Sequence, residues 1–123
     1  MFNTSYLNVD FPIPEGYLLL RDETPSIKEL NRLLSQSKLE THNPQKLDLA
    51  LKNSDFFLSI VEKSMYNLSG FVRVTSDKGL NANLWDLSAL PGSNQQLLMD
   101  VLIHNSISII KRELPGCSIS IAA

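Results

Sequence analysis

The fold is decided by residues 84–114, which read LWDLSALPGSNQQLLMDVLIHNSISIIKREL. The start of this stretch has the alternation of a strand, Pro91 and Gly92 end that strand, and a long helical pattern follows over about 94–113. A turn that leads from a strand into a helix often binds an anion, because the first helical turn has unpaired N–H groups. Whether this turn can still hold an anion therefore decides the function.

The segment before this stretch begins with a strand and a helix. Residues 16–21 form a short apolar run between polar residues, which is typical of a buried strand. Thr24 is a capping residue and Pro25 suits the first helical position, so the sequence predicts a first helix over about 25–36. Residues 1–15 contain two prolines and are expected to form an extended arm.

The remaining elements follow from the same kinds of signal. Asn43 and Pro44 predict a second helix that ends near Asn53. Residues 56–61 and 68–75 are rich in β-branched and aromatic side chains, which indicates an antiparallel hairpin. With strands over 83–89 and 117–123, the predicted order is β-α-α-β-β-β-α-β. Residues 16–123 are expected to form a single domain, an α/β (α+β) fold with a mixed, mainly antiparallel sheet and helices on both faces.

Composition and charge exclude several classes of protein. The chain has 123 residues with 11 basic and 13 acidic side chains and no basic run, so nucleic-acid binding is not expected. Cys117 is the only cysteine, which excludes an internal disulfide and the zinc sites built from several cysteines. No apolar run approaches the roughly 20 residues of a transmembrane segment. We expect a cytoplasmic protein.

The long helix is apolar over about half of its circumference. Its apolar residues are Leu98, Met99, Leu102, Ile103, Ile107, Ile109, Ile110 and Leu114. Its polar residues Asp100, His104, Asn105, Ser108, Lys111 and Arg112 are expected on a hydrated arc opposite. A surface helix needs a narrower apolar stripe, so this helix is predicted to be buried on two sides or covered by a partner.

Two blocks of sequence carry a resemblance to a known family. Residues 70–91, GFVRVTSDKGLNANLWDLSALP, and residues 42–54, HNPQKLDLALKNS, resemble the Gcn5-related N-acetyltransferase (GNAT) family, specifically its small cyanobacterial and plastid members. In that family the strand that corresponds to Trp85 and Asp86 lines an acetyl-CoA cleft. The following loop of the family binds the cofactor pyrophosphate through backbone N–H groups.

The chain departs from the family pattern in this loop. The family has Gln/Arg-x-x-Gly-x-Gly/Ala there, whereas Gln95, Leu97 and Met99 occupy the positions of the small residues. Small residues let the backbone approach the phosphates, so Leu97 and Met99 are expected to fill the phosphate space. The resemblance therefore indicates a vestigial acetyl-CoA loop of Ser93, Asn94, Gln95, Gln96, Leu97, Leu98 and Met99, with no cofactor expected to bind.

The sequence also ends before the family's last segment. The resemblance implies a further helix and two more strands, with a tyrosine that acts as a general acid, and the present sequence ends at Ala123. We therefore expect a partial GNAT fold that lacks these elements, and a catalytically inactive relative of the acetyltransferases with no catalytic residues.

A shortened sheet predicts a protein partner or a homo-oligomer. The last strand would have an unpaired edge, and the long helix would have an uncovered apolar face. A partner is expected to bind there by strand addition or by covering the helix. The candidate interface residues are Ser118, Ile119, Ser120, Ile121, Ile103, Ile107 and Ile110.

Other residues with functional chemistry have simpler interpretations. His104 and Asp100 are predicted to form a solvated contact one helical turn apart. His42 is expected at the surface or in a helix cap, and no metal site is predicted because no second ligand has suitable spacing. Asp86 is either a remnant catalytic carboxylate or a residue on the solvated edge of the sheet, and Trp85 fills the core or the cleft. Ser88, Ser93 and Cys117 have no base arranged with them.

Two functions therefore follow from the sequence. The first is a non-catalytic interaction or assembly module that docks on a larger, photosynthetic complex. Its location would be the cyanobacterial cytoplasm or the plastid stroma, with peripheral association at the thylakoid surface. The alternative is an N-acetyltransferase that uses acetyl-CoA with an atypical loop and is completed by an oligomeric partner.

Overall fold

The computed structural model describes residues 11–122. Its strands are β1 (Tyr17–Arg21), β2 (Phe56–Glu62), β3 (Leu68–Ser76), β4 (Asn81–Ala89) and β5 (Ser118–Ile121). Its helices are α1 (Ile27–Gln36), α2 (Pro44–Asn53) and α3 (Gln95–Glu113). The predicted order of elements is confirmed.

The strands form one sheet in the order β1-β2-β3-β4-β5. Neighbouring strands from β1 to β4 are antiparallel, whereas β4 and β5 are parallel. A parallel pair needs a crossover connection, and α3 supplies it. The predicted mixed, mainly antiparallel sheet is therefore confirmed.

Helices cover both faces of this sheet. The core on the α3 face contains Leu19, Phe56, Leu58, Ile60, Val72, Val74, Ala82, Leu84, Ala89, Leu98, Val101, Leu102, Ile109 and Ile110. The core on the α1 and α2 face contains Leu20, Leu30, Leu33, Leu34, Leu47, Leu51, Phe57, Val61, Leu68 and Phe71. Alternate residues of β2 enter opposite cores, as the period of two in a strand requires.

The first helix begins two residues later than predicted. Ser26, not Thr24, is the N-cap, because its Oγ accepts a hydrogen bond from the N–H of Glu29. Pro25 consequently lies just outside the helix. The carboxylate of Glu29 accepts the N–H of Leu68, so this first turn also ties α1 to the start of β3.

The polar arc of α3 is less hydrated than predicted. Asn105 is only 3% exposed, and its Nδ2 donates to the carbonyl of Val101. The predicted contact between Asp100 and His104 is replaced by two others: Asp100 accepts from Gln96, and His104 stacks on Phe11. Part of the polar surface of α3 is therefore buried or in contact with other residues of this chain.

The predicted N-terminal arm lies mostly outside the described residues. Of its described part, Phe11 and Ile13 pack against the core on the α3 face. No helix among residues 11–122 combines the length and the low polarity that a membrane crossing requires.

The turn between β3 and β4 is built on Asp77. Its Oδ1 accepts the N–H groups of Gly79, Leu80 and Asn81. The bonds from Asn81, Gly79 and Leu80 lower the pKa of the Asp77 carboxyl to about 2, because they favour the ionised form. Three main-chain N–H groups of this turn thus depend on one carboxylate.

Asp77 therefore predicts a titration midpoint that NMR can measure. Since the folded-state pKa is lowered, the stabilisation by this carboxylate is present above the ordinary aspartate pKa and is lost as the pH falls through about 2. The carboxyl carbon of Asp77 is expected to titrate near that value. Asp77→Asn keeps an acceptor oxygen and removes the titration, and a wild-type midpoint at the ordinary aspartate pKa of 3.8 would contradict the assignment.

Candidate active site

A bulge in β4 shapes the centre of the candidate site. The pairs Arg73–Trp85 and Phe71–Ser88 enclose one more residue on β4 than on β3. Asp86 lies in this bulge with φ of 57°, a left-handed conformation that aspartate tolerates better than most residues. The extra residue changes which side of β4 each following main-chain group faces.

The bulge brings the Asp86 carboxylate between two basic side chains. Its Oδ2 accepts from Nε of Arg73 at 3.0 Å, and its Oδ1 lies 3.0 Å from Nε2 of His42. The Asp86 side chain is 13% exposed, so of its two sequence-based interpretations the one that places it on a solvated edge is wrong. The Arg73 guanidinium also lies over the ring of Trp85. These four side chains form one connected cluster.

His42 is held from its main chain as well as from its ring. Asn31 of α1 accepts the N–H of His42 through Oδ1 and donates to its carbonyl through Nδ2, both at 2.9 Å. Of the two positions expected for His42, the helix cap is wrong, because Asn43 provides the α2 cap. The His42 side chain is 36% exposed, so it lies partly at the surface as well as in the cluster. The connection between α1 and α2 is also joined to β4 by Ser37, whose Oγ donates to the carbonyl of Ala89.

A groove of about 700 Å³ opens over this cluster. It is lined by Lys38, Leu39, Glu40, His42, Arg73, Trp85, Asp86, Leu87, Ile121 and Ala122. The α1–α2 connection forms one wall, the β4 bulge forms the floor, and the end of β5 forms the other wall. Trp85 lines this groove, is partly exposed and donates from Nε1 to Thr75, so of its two predicted positions, core or cleft, the structure shows the cleft.

The edge of β4 is open where the groove begins. Pairing with β5 ends at Leu84, whose carbonyl accepts the N–H of Ala122. Beyond the bulge, Leu90 donates its N–H to Ser69 of β3. Main-chain groups alternate sides along a strand, and Leu87 lies three residues before Leu90, which bonds to β3. The N–H and C=O of Leu87 therefore face away from β3. Within the described part of the chain no strand pairs with that edge.

The first turn of α3 lies next along the chain. Asn94 precedes the helix, and its side chain makes no capping hydrogen bond. The first helical bond runs from the N–H of Leu98 to the carbonyl of Asn94. The N–H groups of Gln96 and Leu97 therefore precede the helical ladder. A Cβ built on Gly92, where φ is 143°, would meet nothing within 4 Å, so space is open before the helix.

The bulky residues of this loop are arranged differently from the sequence prediction. Met99 packs against the core on the α3 face and so does not fill an anion site. Leu97 is 49% exposed, and Gln95 turns its amide onto the carbonyl of Ala89. The loop with these side chains can accept an anion at the N–H groups of its first turn, which is the arrangement that a diphosphate group requires.

The predicted interface residues differ in how far they are exposed. In the described chain β5 is an edge strand, with Ser118, Ser120 and Ile121 exposed and Ile119 half-buried. Ile103 and Ile107 are also half-buried. Ile110 is 1% exposed within the chain's own core and does not fit a partner surface. The binding of a partner at the remaining residues stays a prediction.

The cluster of His42, Arg73 and Asp86 was not assembled from the sequence. His42 and Asp86 are 44 positions apart, and Arg73 was not singled out at all. One signal was present: an aspartate interrupts the apolar run of a central strand, beside a tryptophan. Ser88 and Ser93 remain without a base, since Ser88 donates to the carbonyl of Asp86 and Ser93 is exposed.

Similar proteins share both sequence and fold with this chain. It is 39% identical over 70 residues to the uncharacterized N-acetyltransferase ycf52 of the red alga Pyropia yezoensis, a match that covers 55% of this chain and only 40% of that relative. A probable acetyltransferase from Staphylococcus aureus superposes with a TM-score of 0.77 at 18% identity, over 87% of this chain and 79% of that one. No family model matches the chain.

A second similar structure is a tandem GNAT protein of the clavulanic acid biosynthesis pathway, solved without AcCoA. It has a TM-score of 0.58 at 16% identity, over 91% of this chain and 38% of that one. The resemblance to the acetyltransferases that the sequence indicated is confirmed by these comparisons.

Two expectations from the sequence are overturned by these comparisons. We expected a pseudo-acetyltransferase rather than an enzyme, and we expected no cofactor. The relatives and the structural neighbours are named as acetyltransferases, which points to an enzyme, and acetyltransferases of this fold use acetyl-CoA. The expectation of no cofactor rested on bulk at Leu97 and Met99, and Met99 is turned into the core. The expectation of inactivity rested also on the family's last segment, which this sequence does not contain.

Proposed function

We propose that this chain, which has the fold of the Gcn5-related N-acetyltransferases, transfers an acetyl group from acetyl-CoA to a primary amine in the β4 groove. The observation that carries the proposal is the open edge of β4 at Leu87, which lies between the groove and the first turn of α3. An extended thioester arm can bind to such an edge as a strand would.

The residues along this path suit acetyl-CoA. The N–H and C=O of Leu87 would bind the amide groups of the arm, since they face the unpaired side of β4. The N–H groups of Gln96 and Leu97 would bind the diphosphate, with Gly92 leaving room for it. When bound, acetyl-CoA supplies a thioester carbonyl that an uncharged amine can attack.

The groove provides what the amine requires. Leu87, Leu39 and Ile121 give it apolar surface, which excludes water from the reacting groups. Asp86 and His42 lie at its floor, within hydrogen-bonding distance of each other. A basic nitrogen at this point can remove the proton that keeps an ammonium group from reacting.

Calorimetry and a thiol-release assay test the proposal. Acetyl-CoA is expected to bind saturably, and coenzyme A thiol is expected to appear when n-butylamine, benzylamine or L-lysine methyl ester is added. Pantetheine is titrated in parallel as the control. Because it lacks the diphosphate, it is expected to bind at least tenfold more weakly than acetyl-CoA. The absence of saturable heat with acetyl-CoA would refute the proposal.

A charge at Leu97 tests the position of the diphosphate. Leu97→Asp is expected to weaken acetyl-CoA binding about fivefold to tenfold, because a carboxylate a few ångströms from a diphosphate costs on the order of 1 kcal/mol. An acidic residue in the first turn stabilises a helix, so the folded state is expected to be retained. Leu97→Asn is the uncharged control of similar size, and calorimetry measures both variants. Equal affinities for the two would place the diphosphate elsewhere.

A further inference from the structure

We propose that His42 is the general base of the transfer reaction and that Asp86 is the residue that positions it, an inference that rests on the proposed acetyltransferase function. No motif of the sequence brings these residues together. The hydrogen bond between the His42 ring and the Asp86 carboxylate carries the inference, together with the hold that α1 has on the His42 backbone.

The hydrogen bond fixes which ring nitrogen can act. An ionised carboxylate only accepts hydrogen bonds, so Nε2 of His42 carries the hydrogen that points at Oδ1 of Asp86. The uncharged ring then has its lone pair on Nδ1. Within residues 11–122 no protein group bonds to Nδ1, and the His42 side chain is 36% exposed into the groove. A substrate ammonium can therefore reach this lone pair.

Three contacts keep the pair in place. Arg73 fixes the second oxygen of Asp86, which leaves the first oxygen for His42. Asn31 bonds both the N–H and the carbonyl of His42, so the backbone of this residue cannot rotate without losing two hydrogen bonds. Two hydrogen bonds to the main chain of one loop residue are typical of a loop whose side chain must point in a set direction.

The position of the pair matches the path of the acetyl group. Asp86 directly precedes Leu87, whose main chain forms the open edge of β4. His42 thus reaches the groove beside the point where a thioester on that edge would end. The other charged groups that line the groove are Lys38 and Glu40 on the α1–α2 connection and Arg73 on β3. Arg73 is engaged by Asp86, and neither a guanidinium nor a lysine ammonium has an acceptor lone pair, so His42 is the basic nitrogen of this groove that can accept a proton.

The step balances as a simple transfer. His42 Nδ1 takes a proton from the substrate ammonium, and the amine nitrogen uses its freed electron pair to form a bond to the thioester carbonyl carbon. The carbon–sulfur bond breaks, and the sulfur leaves with that electron pair and takes a proton from solvent. A second amine proton, lost as the amide forms, returns to solvent. The products are the acetylated amine, coenzyme A thiol and the proton on His42, which then exchanges with water.

His42→Ala is the first test, with thiol release from acetyl-CoA and n-butylamine as the assay. The variant is expected to lose at least 100-fold in kcat, which is the usual contribution of a general base. Its acetyl-CoA affinity by calorimetry is expected to stay within threefold of wild type, because His42 lies outside the proposed cofactor path. Free imidazole is expected to restore part of the lost rate, since the space of the ring is left open to the groove.

Asp86→Asn tests the positioning role through the ring itself. The amide can donate to Nε2, which would move the hydrogen to Nδ1 and remove the lone pair from the groove. Nitrogen-15 NMR of His42 is expected to show the Nε2–H tautomer in the wild type and a larger share of the Nδ1–H tautomer in Asp86→Asn. Asn31→Ala is expected to lower kcat about tenfold through loss of the clamp, with the wild-type tautomer retained.

The outcomes separate the two proposals. If wild-type protein neither binds acetyl-CoA nor releases thiol with the three amines, both the function and the inference fail. If the wild type is active and His42→Ala retains its rate, only the inference fails. A lost rate that imidazole does not restore, together with an Nδ1–H tautomer in the wild type, would also overturn it. Loss of rate with imidazole rescue and the Nε2–H tautomer supports it.

Discussion

Asp86→Val is expected to lower the free energy of unfolding by about 2–4 kcal/mol, measured by urea denaturation. Two costs add. Valine at the φ of 57° that Asp86 adopts places a branched side chain in a left-handed conformation, which costs roughly 1–2 kcal/mol or more. The substitution also leaves the guanidinium of Arg73, whose side chain is 16% exposed, without its carboxylate partner.

Two further substitutions separate these costs. Asp86→Gly removes the carboxylate but suits the backbone conformation, so it is expected to cost about 1–2 kcal/mol less than valine. Asp86→Asn keeps both the size of the side chain and a tolerance for the left-handed region, and isolates the loss of charge. Equal stabilities for the valine and glycine variants would mean that the bulge imposes no conformational constraint at this position.

Local sequence signals were sufficient for most of the elements. Asn43 and Pro44 predicted the start of the second helix, because a cap and a proline at the first position act within one turn, and its predicted end near Asn53 is also observed. The strands were predicted within two residues at either end from their β-branched and aromatic runs. These signals are short-range, so they need no knowledge of the neighbours in space.

The error at the first helix shows the limit of such signals. Thr24 and Pro25 predicted a start two residues too early, and the hydrogen bond from the N–H of Glu29 to Oγ of Ser26 sets the observed start. The choice also involves β3, since Glu29 bonds to Leu68 rather than to its own helix. A contact across 39 residues is not visible in a local pattern.

The candidate site was missed for the same reason. Alternation along β4 predicts side-chain direction only while the strand is regular, and the bulge at Asp86 reverses the pattern after it. The bulge brings Asp86 to His42 and Arg73, which come from a loop and from another strand. No spacing rule connects these three positions, so their association required the register of the sheet.

The prediction of a blocked loop failed on side-chain direction. Replacing small residues by Leu97 and Met99 predicts bulk, but in a helix the two positions are about 200° apart and cannot occupy the same space. Met99 turns to the core and Leu97 turns outward. The identity of a residue at an aligned position was therefore a weaker guide than its place on the helix.

Leu102→Ala is expected to lower the free energy of unfolding by about 3–4 kcal/mol, with an unchanged denaturant dependence. Leu102 is fully buried between α3 and the sheet, so its removal loses transfer free energy and leaves a cavity. The matched control on the same helix is Leu97→Ala, which is half exposed and is expected to cost less than about 1 kcal/mol. Similar losses for the two variants would contradict the packing of α3 described above.

Gly70 provides a second test of the same contact. A Cβ on Gly70 would lie 3.2 Å from Cδ1 of Leu102 and 3.4 Å from Ile60, so Gly70→Ala is expected to cost about 1–2 kcal/mol through crowding. Leu102→Ala removes the nearer of these atoms. In that background the alanine at position 70 is expected to cost about 1 kcal/mol less, because it fills part of the cavity. Additive losses would show that α3 does not press on β3 at this point, since two residues in contact through a shared cavity cannot act independently.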